Sequence, residues 1–321
     1  MKKISIVTPC FNEEENIEPL SDLVRDLFKG SLSNYDYEHI FIDNCSTDKT
    51  VSVLRKLAEK DKKVKVILNT RNFGHIRSPY YAMFQAEGDA VIHLVADLQD
   101  PPDLIKNFVE EWIKGYKVVV GVKTKSEENF LMFGLRKFYY SLLNSFSESE
   151  QIKNFSGFAL YDRSFINCIK NLDEPYPYLR GLITELGFER KEIEYKQPVR
   201  RKGKTKNNLY TLYDIAMLGF VNHSKVPLRM ATFLGFIIAL ISIFVAGIYL
   251  VYKLLYWDEF QTGTAPLIIG LFFFSSVQLI FIGIVGEYIG AIYTQVKKRP
   301  LVIEKERINF SDTKEDSIEK S

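Results

Sequence analysis

The sequence predicts an α/β domain built on a mainly parallel sheet, followed by two apolar helices. Three observations carry this expectation. Through about residue 125, short apolar runs alternate with helical stretches in the rhythm of strand, turn and crossover helix. Polar clusters follow those runs, at the sheet edge where open α/β sheets bind ligands. Near the C-terminus, Met230 to Tyr252 and Phe260 to Gly286 contain no Asp, Glu, Lys or Arg. Each of these stretches exceeds the roughly 20 residues that carry a helix across a bilayer.

Taken in order, Ile4 to Thr8 is a first strand, and Asn12-Glu13-Glu14-Glu15-Asn16 opens a helix with acidic residues in its first turn. His39 to Ile42 is a second strand, ending in Asp43-Asn44-Cys45-Ser46-Thr47-Asp48, with a helical run from Lys49 to Lys60. Val64 to Leu68, Ala90 to Val95 and Val118 to Val122 are the third to fifth strands. Beyond residue 126 the pattern loosens. Phe130 to Phe146 reads as an aromatic-rich helix, Lys191 to Pro198 as a strand at the domain's edge, and Ile303 to Ser321 as a charged, mobile tail. The resulting division is a domain over 1–208, an interfacial amphipathic segment over 209–228, spans at 229–254 and 264–291, and a tail over 297–321.

A net charge of +2 gives no reason to expect nucleic acid as a partner. Three scattered cysteines, Cys10, Cys45 and Cys168, suit a reducing compartment and have no zinc-ligand spacing. The four histidines form no metal pattern either. The opening Met1-Lys2-Lys3, interrupted by Pro9, is too short an apolar lead for a signal peptide. Lys225 and Arg229 precede the first span and Lys297, Lys298 and Arg299 follow the second, whereas the link from Lys253 to Glu259 is nearly neutral. The positive-inside rule then places the domain and both termini in the cytoplasm of a multi-pass inner (plasma) membrane protein. Two spans bury little area, so association into a homo-oligomer is expected.

Three clusters carry candidate chemistry. In Val95-Ala96-Asp97-Leu98-Gln99-Asp100-Pro101-Pro102, alternate residues leaving a strand share a side, so Asp97 and Gln99 could face one divalent cation. Equally, Asp100-Pro101-Pro102 is a good helix start, and the whole cluster could be a polar turn. Thr8-Pro9-Cys10-Phe11-Asn12-Glu13 and Asp43-Asn44-Cys45-Ser46 offer acceptors for a base or ribose, or plain helix caps. Five Lys or Arg residues between Arg200 and Lys206 suit a diphosphate or a lipid phosphate, and serve equally as a positive-inside signal. No G-x-G-x-x-G and no Walker A pattern occurs.

The ordered set P-x-x-N-E-E-E-N, D-N-x-S-T-D, R-N-F-G at Arg71 to Gly74 and A-D-L-Q-D-P-P resembles family 2 glycosyltransferases of the GT-A fold. With two spans and Gly286-Glu287-Tyr288-Ile289-Gly290, the chain is similar to the polyprenyl-phosphate branch, which includes dolichol-phosphate mannose synthases and bacterial undecaprenyl-phosphate glycosyltransferases. The resemblance runs from about residue 3 to 303. It implies inverting transfer of one sugar from a nucleotide sugar, UDP- ahead of GDP-, to a polyprenyl phosphate such as undecaprenyl phosphate, for cell-surface glycan assembly. It also implies Mg²⁺ or Mn²⁺ held by Asp97 and Gln99. Pro9, Asn12, Glu13, Asp43, Ser46, Arg71 and Asn72 would line the nucleotide-sugar site, with Arg200 and Arg201. Arg136 would meet the acceptor phosphate, and Lys206 would close over the diphosphate. A separate flippase would then expose the product.

The chain departs from the pattern at four places. Val95 stands where the family has a first metal aspartate, and Asn44 where it has the second Asp of D-D-G-S. Gly157-Phe158-Ala159 replaces D-F-R, and Thr205-Lys206-Asn207 replaces S-K-Y. Besides an active transferase, these departures admit a catalytically weak or inactive homologue that acts as a membrane-bound partner in glycan assembly. A processive polysaccharide synthase is the further alternative; it would carry Q-x-x-R-W, and no Arg precedes Trp112 or Trp257.

Overall fold

The computed structural model describes residues 1–124, 152, 154–175, 177–198, 226–256 and 264–310. An eight-stranded sheet in the order β7-β5-β6-β4-β1-β2-β3-β8 forms its centre. Strands β1 (Lys3–Cys10), β2 (Asp36–Asp43), β3 (Val64–Asn69) and β4 (Ala90–His93) are a contiguous parallel block, with β1 between β4 and β2. Their cores are mostly apolar on both faces, because helices cover both sides. Ile4, Ile6, Phe41 and Val66 bury against α1 (Ile17–Lys29) and α2 (Thr50–Lys60). Val7, Ile40, Ile42 and Ile67 bury on the opposite side, with Tyr80 and Met83 of α3 (Gly74–Gln85).

Sequence reading located these strands to within a few residues but missed others. β5 (Val118–Lys123) does not join the parallel block. Between it and β4 runs β6 (Phe155–Asp162), antiparallel to both, so the sheet is mixed. The edge strand expected over 191–198 is β7 (Arg190–Tyr195), parallel to β5. α4 (Leu104–Ile113), α5 (Arg163–Asn171) and α6 (Leu179–Glu185) complete the described domain.

Two expectations need correction. The run Asn12 to Asn16 does not open a helix: α1 begins at Ile17, and the acidic residues form a loop whose contacts reach across to α2. The tail is not wholly mobile either. Glu304–Ile308 forms β8, antiparallel to β3 and closing that sheet edge. Arg55 and Glu306 ion-pair across the join, and Asn309 donates to the carbonyls of Ala58 and Val64.

Helices α7 (Val226–Leu255) and α8 (Thr264–Val296) expose their apolar side chains. Phe244 and Leu279 are each 69% exposed, which a soluble surface does not sustain along a whole helix. Among the described residues one run, Gly270–Val296, is long and apolar enough to cross a membrane, and α7 contributes the shorter run Met230–Ser242. So one span, where two were expected, meets that measure. The aromatic helix over 130–146, residues 209–225 of the interfacial segment and residues 257–263 between the spans lie outside the described residues, while residues 226–228, expected in the interfacial segment, belong to α7.

Candidate active site

The loops after β1 and β2 are built as one unit. Asn12 turns the first loop with a left-handed backbone (φ 56°), and Cys45 does the same in the second (φ 65°). Between them, the Asn12 N–H donates to Ser46 Oγ at 2.9 Å and the Thr47 N–H donates to Asn12 Oδ1 at 2.8 Å. The Glu13 N–H donates to Thr50 Oγ1 at 2.9 Å, which ties the first loop to the start of α2. Asp43, only 1% exposed at the end of β2, accepts from the Ser46 N–H at 3.0 Å and from the Ser46 hydroxyl. Burial pushes the Asp43 carboxyl above its ordinary range, and the Ser46 bonds oppose that shift.

Asn44 has a scaffolding role. Its Oδ1 accepts from Asn69 Nδ2 at 3.2 Å, the Phe73 N–H at 2.9 Å and Ser78 Oγ at 2.8 Å, while its Nδ2 donates to the Gly74 carbonyl at 3.0 Å. One buried amide thus fastens the end of β2 to β3, the loop after it and α3. Asn72 caps the same loop, accepting the Gly74 N–H at 2.8 Å. Arg71 stacks 4.1 Å over the Phe73 ring and lines a separate cavity, whose walls include none of Pro9, Asn12, Glu13, Asp43 or Ser46.

Asp97 and Gln99 do not leave a strand together, since β4 stops at His93. They belong to a turn in which Leu98 adopts φ 58° and the Gln99 N–H donates to Asp97 Oδ1 at 3.1 Å. Leu98 packs on the core, which pins the turn from below. Both polar residues are part-exposed at the carboxyl end of the parallel block. Asp100 takes a different part from the expected helix start. It is 1% exposed and accepts a 2.5 Å bond from the Tyr195 hydroxyl of β7, while α4 begins only at Leu104.

Sequence reading passed over His93, which ends β4 on the way to the Asp97 turn. Its Nδ1 bonds the Gly157 carbonyl at 3.0 Å, and its buried Nε2 has no hydrogen-bond partner among the described residues. Burial lowers its pKa, and because a carbonyl oxygen can only accept, Nδ1 is the donor in that bond. Gly157 has φ 105°, and a Cβ there would meet the His93 ring at 3.6 Å. Ala159 is fully buried opposite His93 in the ladder. The acidic and basic side chains missing from 157 and 159 therefore leave a packed, apolar strand. Arg136, Arg200, Arg201 and Lys206 lie outside the described residues.

Among the described residues, no group of three or more His, Cys, Asp or Glu side chains is placed to hold a metal. Asp97 and Gln99 still offer two hard oxygen donors. That set suits Mg²⁺ or Mn²⁺ completed by substrate phosphates and water, the usual arrangement for ions bound through one or two carboxylates.

Comparison with known proteins agrees along the length of the chain. The model for glycosyl transferase family 2 matches residues 5–170. A Bacillus subtilis protein, YkcC, described as an uncharacterized glycosyltransferase, is 34% identical over 93% of this chain and 92% of its own. Another uncharacterized glycosyltransferase, sll0501 of Synechocystis, is 33% identical over 94% of each. The SfII prophage-derived bactoprenol glucosyl transferase of Shigella flexneri is 35% identical over 94% of this chain and 97% of its own.

Proposed function

We propose, from the premise that this chain belongs to glycosyl transferase family 2, that it moves one sugar from a nucleotide sugar to a polyprenyl phosphate at a membrane surface. One observation carries the reading. The polar loops after three neighbouring parallel strands, β2, β1 and β4, open at the same sheet end, in a chain that continues into exposed apolar helices. The full-length likeness to a bactoprenol glucosyl transferase supports the acceptor class.

In this reading the Asn12–Ser46–Asp43 unit holds the nucleoside, with Pro9 and Glu13 on the same loop. Asp97 and Gln99 would hold Mg²⁺ or Mn²⁺, which neutralises charge on the departing diphosphate. An acceptor phosphate oxygen attacks the anomeric carbon as the bond from that carbon to the diphosphate breaks, with inversion. The attacking oxygen is already anionic, so no strong general base is required, and stabilising the leaving group matters most. Arg136 would face the acceptor, and Arg200, Arg201 and Lys206 would cover the diphosphate. Both α7 and α8 cross the inner membrane in this proposal, with the domain and both termini cytoplasmic. UDP is the favoured nucleotide.

The test uses purified protein in detergent with undecaprenyl phosphate, Mg²⁺ or Mn²⁺ and a panel of UDP- and GDP-sugars, read by mass spectrometry. The expected result is a lipid-phosphate monosaccharide whose formation falls at least about 100-fold in Asp97→Ala. A second reading, a non-catalytic homologue, draws on the apolar packing at Gly157 and Ala159. Nucleotide binding without transfer from any donor would favour it.

A further inference from the structure

A cavity of about 460 Å³ lies where the second apolar helix returns to the domain. Arg71 and Arg77 line one side, from the loop after β3 and from α3. Lys297 and Arg299, in the connector between α8 and β8, line the other, and among the described residues the lining contains no carboxylate. Two of these cations rest on aromatic rings. The Arg71 guanidinium rests on Phe73, and Lys297 lies 4.8 Å over the Tyr293 ring and bonds its hydroxyl at 3.1 Å. Among the described residues, Arg71, Lys297 and Arg299 pair with no carboxylate. The converging charges of Arg71, Lys297 and Arg299 repel one another until an anion joins them, and guanidinium groups match phosphate oxygens in pairs.

Position decides which phosphate. Tyr293 and Thr294, in the last turn of α8, form part of the wall, so the cavity sits at the end of the apolar run Gly270–Val296. If that run crosses a bilayer, its end stands at head-group depth, where basic pockets collect anionic lipids. The reacting lipid phosphate belongs elsewhere. β1 and β2 separate β4, which leads to Asp97, from β3, which leads to Arg71. Three strand spacings make roughly 14 Å. Transfer needs its reacting atoms within about 3.5 Å.

We propose that this cavity binds the phosphate head group of an anionic bilayer phospholipid, at a site separate from those for donor and acceptor. The proposal rests on the membrane reading given above. With one wall from the domain and one from the helix connector, a bound head group would clamp the domain to the membrane surface.

The experiment follows thermal unfolding of the full chain in detergent as short-chain phosphatidylglycerol is added, for wild type and Lys297→Gln/Arg299→Gln. Saturable stabilisation of wild type is expected, with the half-saturating concentration rising roughly 10- to 30-fold in the double variant. The charge-keeping variant Lys297→Arg/Arg299→Lys should restore it, and UDP binding should be equal in all three as the check on folding. No stabilisation of wild type, or equal stabilisation of the Gln variant, overturns the proposal. So does an equal effect from inorganic phosphate alone, or displacement of phosphatidylglycerol by equimolar undecaprenyl phosphate. Flotation with pure phosphatidylcholine vesicles tests the membrane reading separately. A protein that floats without responding to phosphatidylglycerol defeats only the pocket, and one that fails to float defeats the membrane reading.

Discussion

At the amino end of the parallel block, Glu38 is wedged between Lys65 at 2.7 Å and Lys3 at 3.0 Å, with Glu87 bridging the same two lysines. At the carboxyl end, Asp43, Asp48 and Asp97 bond to hydroxyls and backbone N–H groups, and to no cation among the described residues. Both ends carry acids, but they use them differently. The first cancels its charge within the protein, and Ser5 together with the Glu87 N–H completes the coordination of Glu38. The second fixes the geometry of its acids with neutral donors and, among the described residues, pairs them with no cation. A sheet end of the first kind adds stability. One of the second kind suits an incoming cation and the phosphates it carries.

The largest effect should come from breaking the closed end. Glu38→Ala leaves Lys65 buried without its main partner, and we expect a loss of about 3 kcal/mol or more in chemical denaturation. Donor KM should not change, because nothing at the carboxyl end touches Glu38; a raised KM would mean the two ends are coupled. Asn44→Ala should cost about 2 kcal/mol, since three donors lose one acceptor. Here donor KM should rise as well, because the loop scaffold fails. A pure stability loss with normal KM would break the comparison.

Acid sharpens it further. Burial opposes ionisation of Glu38, but bonds from Lys65, Ser5, the Glu87 N–H and Lys3 outweigh it and bring its pKa down from 4.5 to about 2. That contribution is complete above pH 4.5 and is lost as pH falls toward 2. His39, lowered from 6.5 to about 3 by burial, acts in a neighbouring window. Below pH 6.5 the unfolded chain takes a proton that the folded ring refuses, so stability already falls by up to about 1.4 kcal/mol per pH unit. Stability curves of wild type and Glu38→Gln should therefore run parallel from pH 6.5 to 4.5, with the variant flatter below. The smallest effect should be at the exposed Arg55–Glu306 pair, where Arg55→Ala should cost less than about 1 kcal/mol and vanish in high salt.

The parallel block was legible because each strand carries a short run rich in apolar, β-branched residues, followed by a polar turn and a helical stretch. β6 was not, since Gly157 and Ser156 break its run and its antiparallel partners lie far off in sequence. β8 reads Glu-Lys-Glu-Arg-Ile, the charged composition that guards an edge strand, and so resembles a solvated tail. The residues of the Asp97 turn were found, yet the stated reason for their sharing a side was wrong, because the strand ends earlier and Leu98 turns the chain. His93 carried no signal at all. Only the fold reveals that the space beside Gly157 holds an imidazole.

β8 also imposes an order of events. Its neighbour β3 lies some 245 residues earlier at the Asn309–Val64 bond, and both apolar helices come between. While the chain emerges from the ribosome, β3 is an open, pairing-competent edge for as long as those helices are being made and delivered. The last strand can cap that edge only after the second helix has turned back to the domain. Sheet completion is thereby a late step: a molecule in which α8 has not turned back to the domain keeps β3 as an open edge, and one in which it has loses that edge.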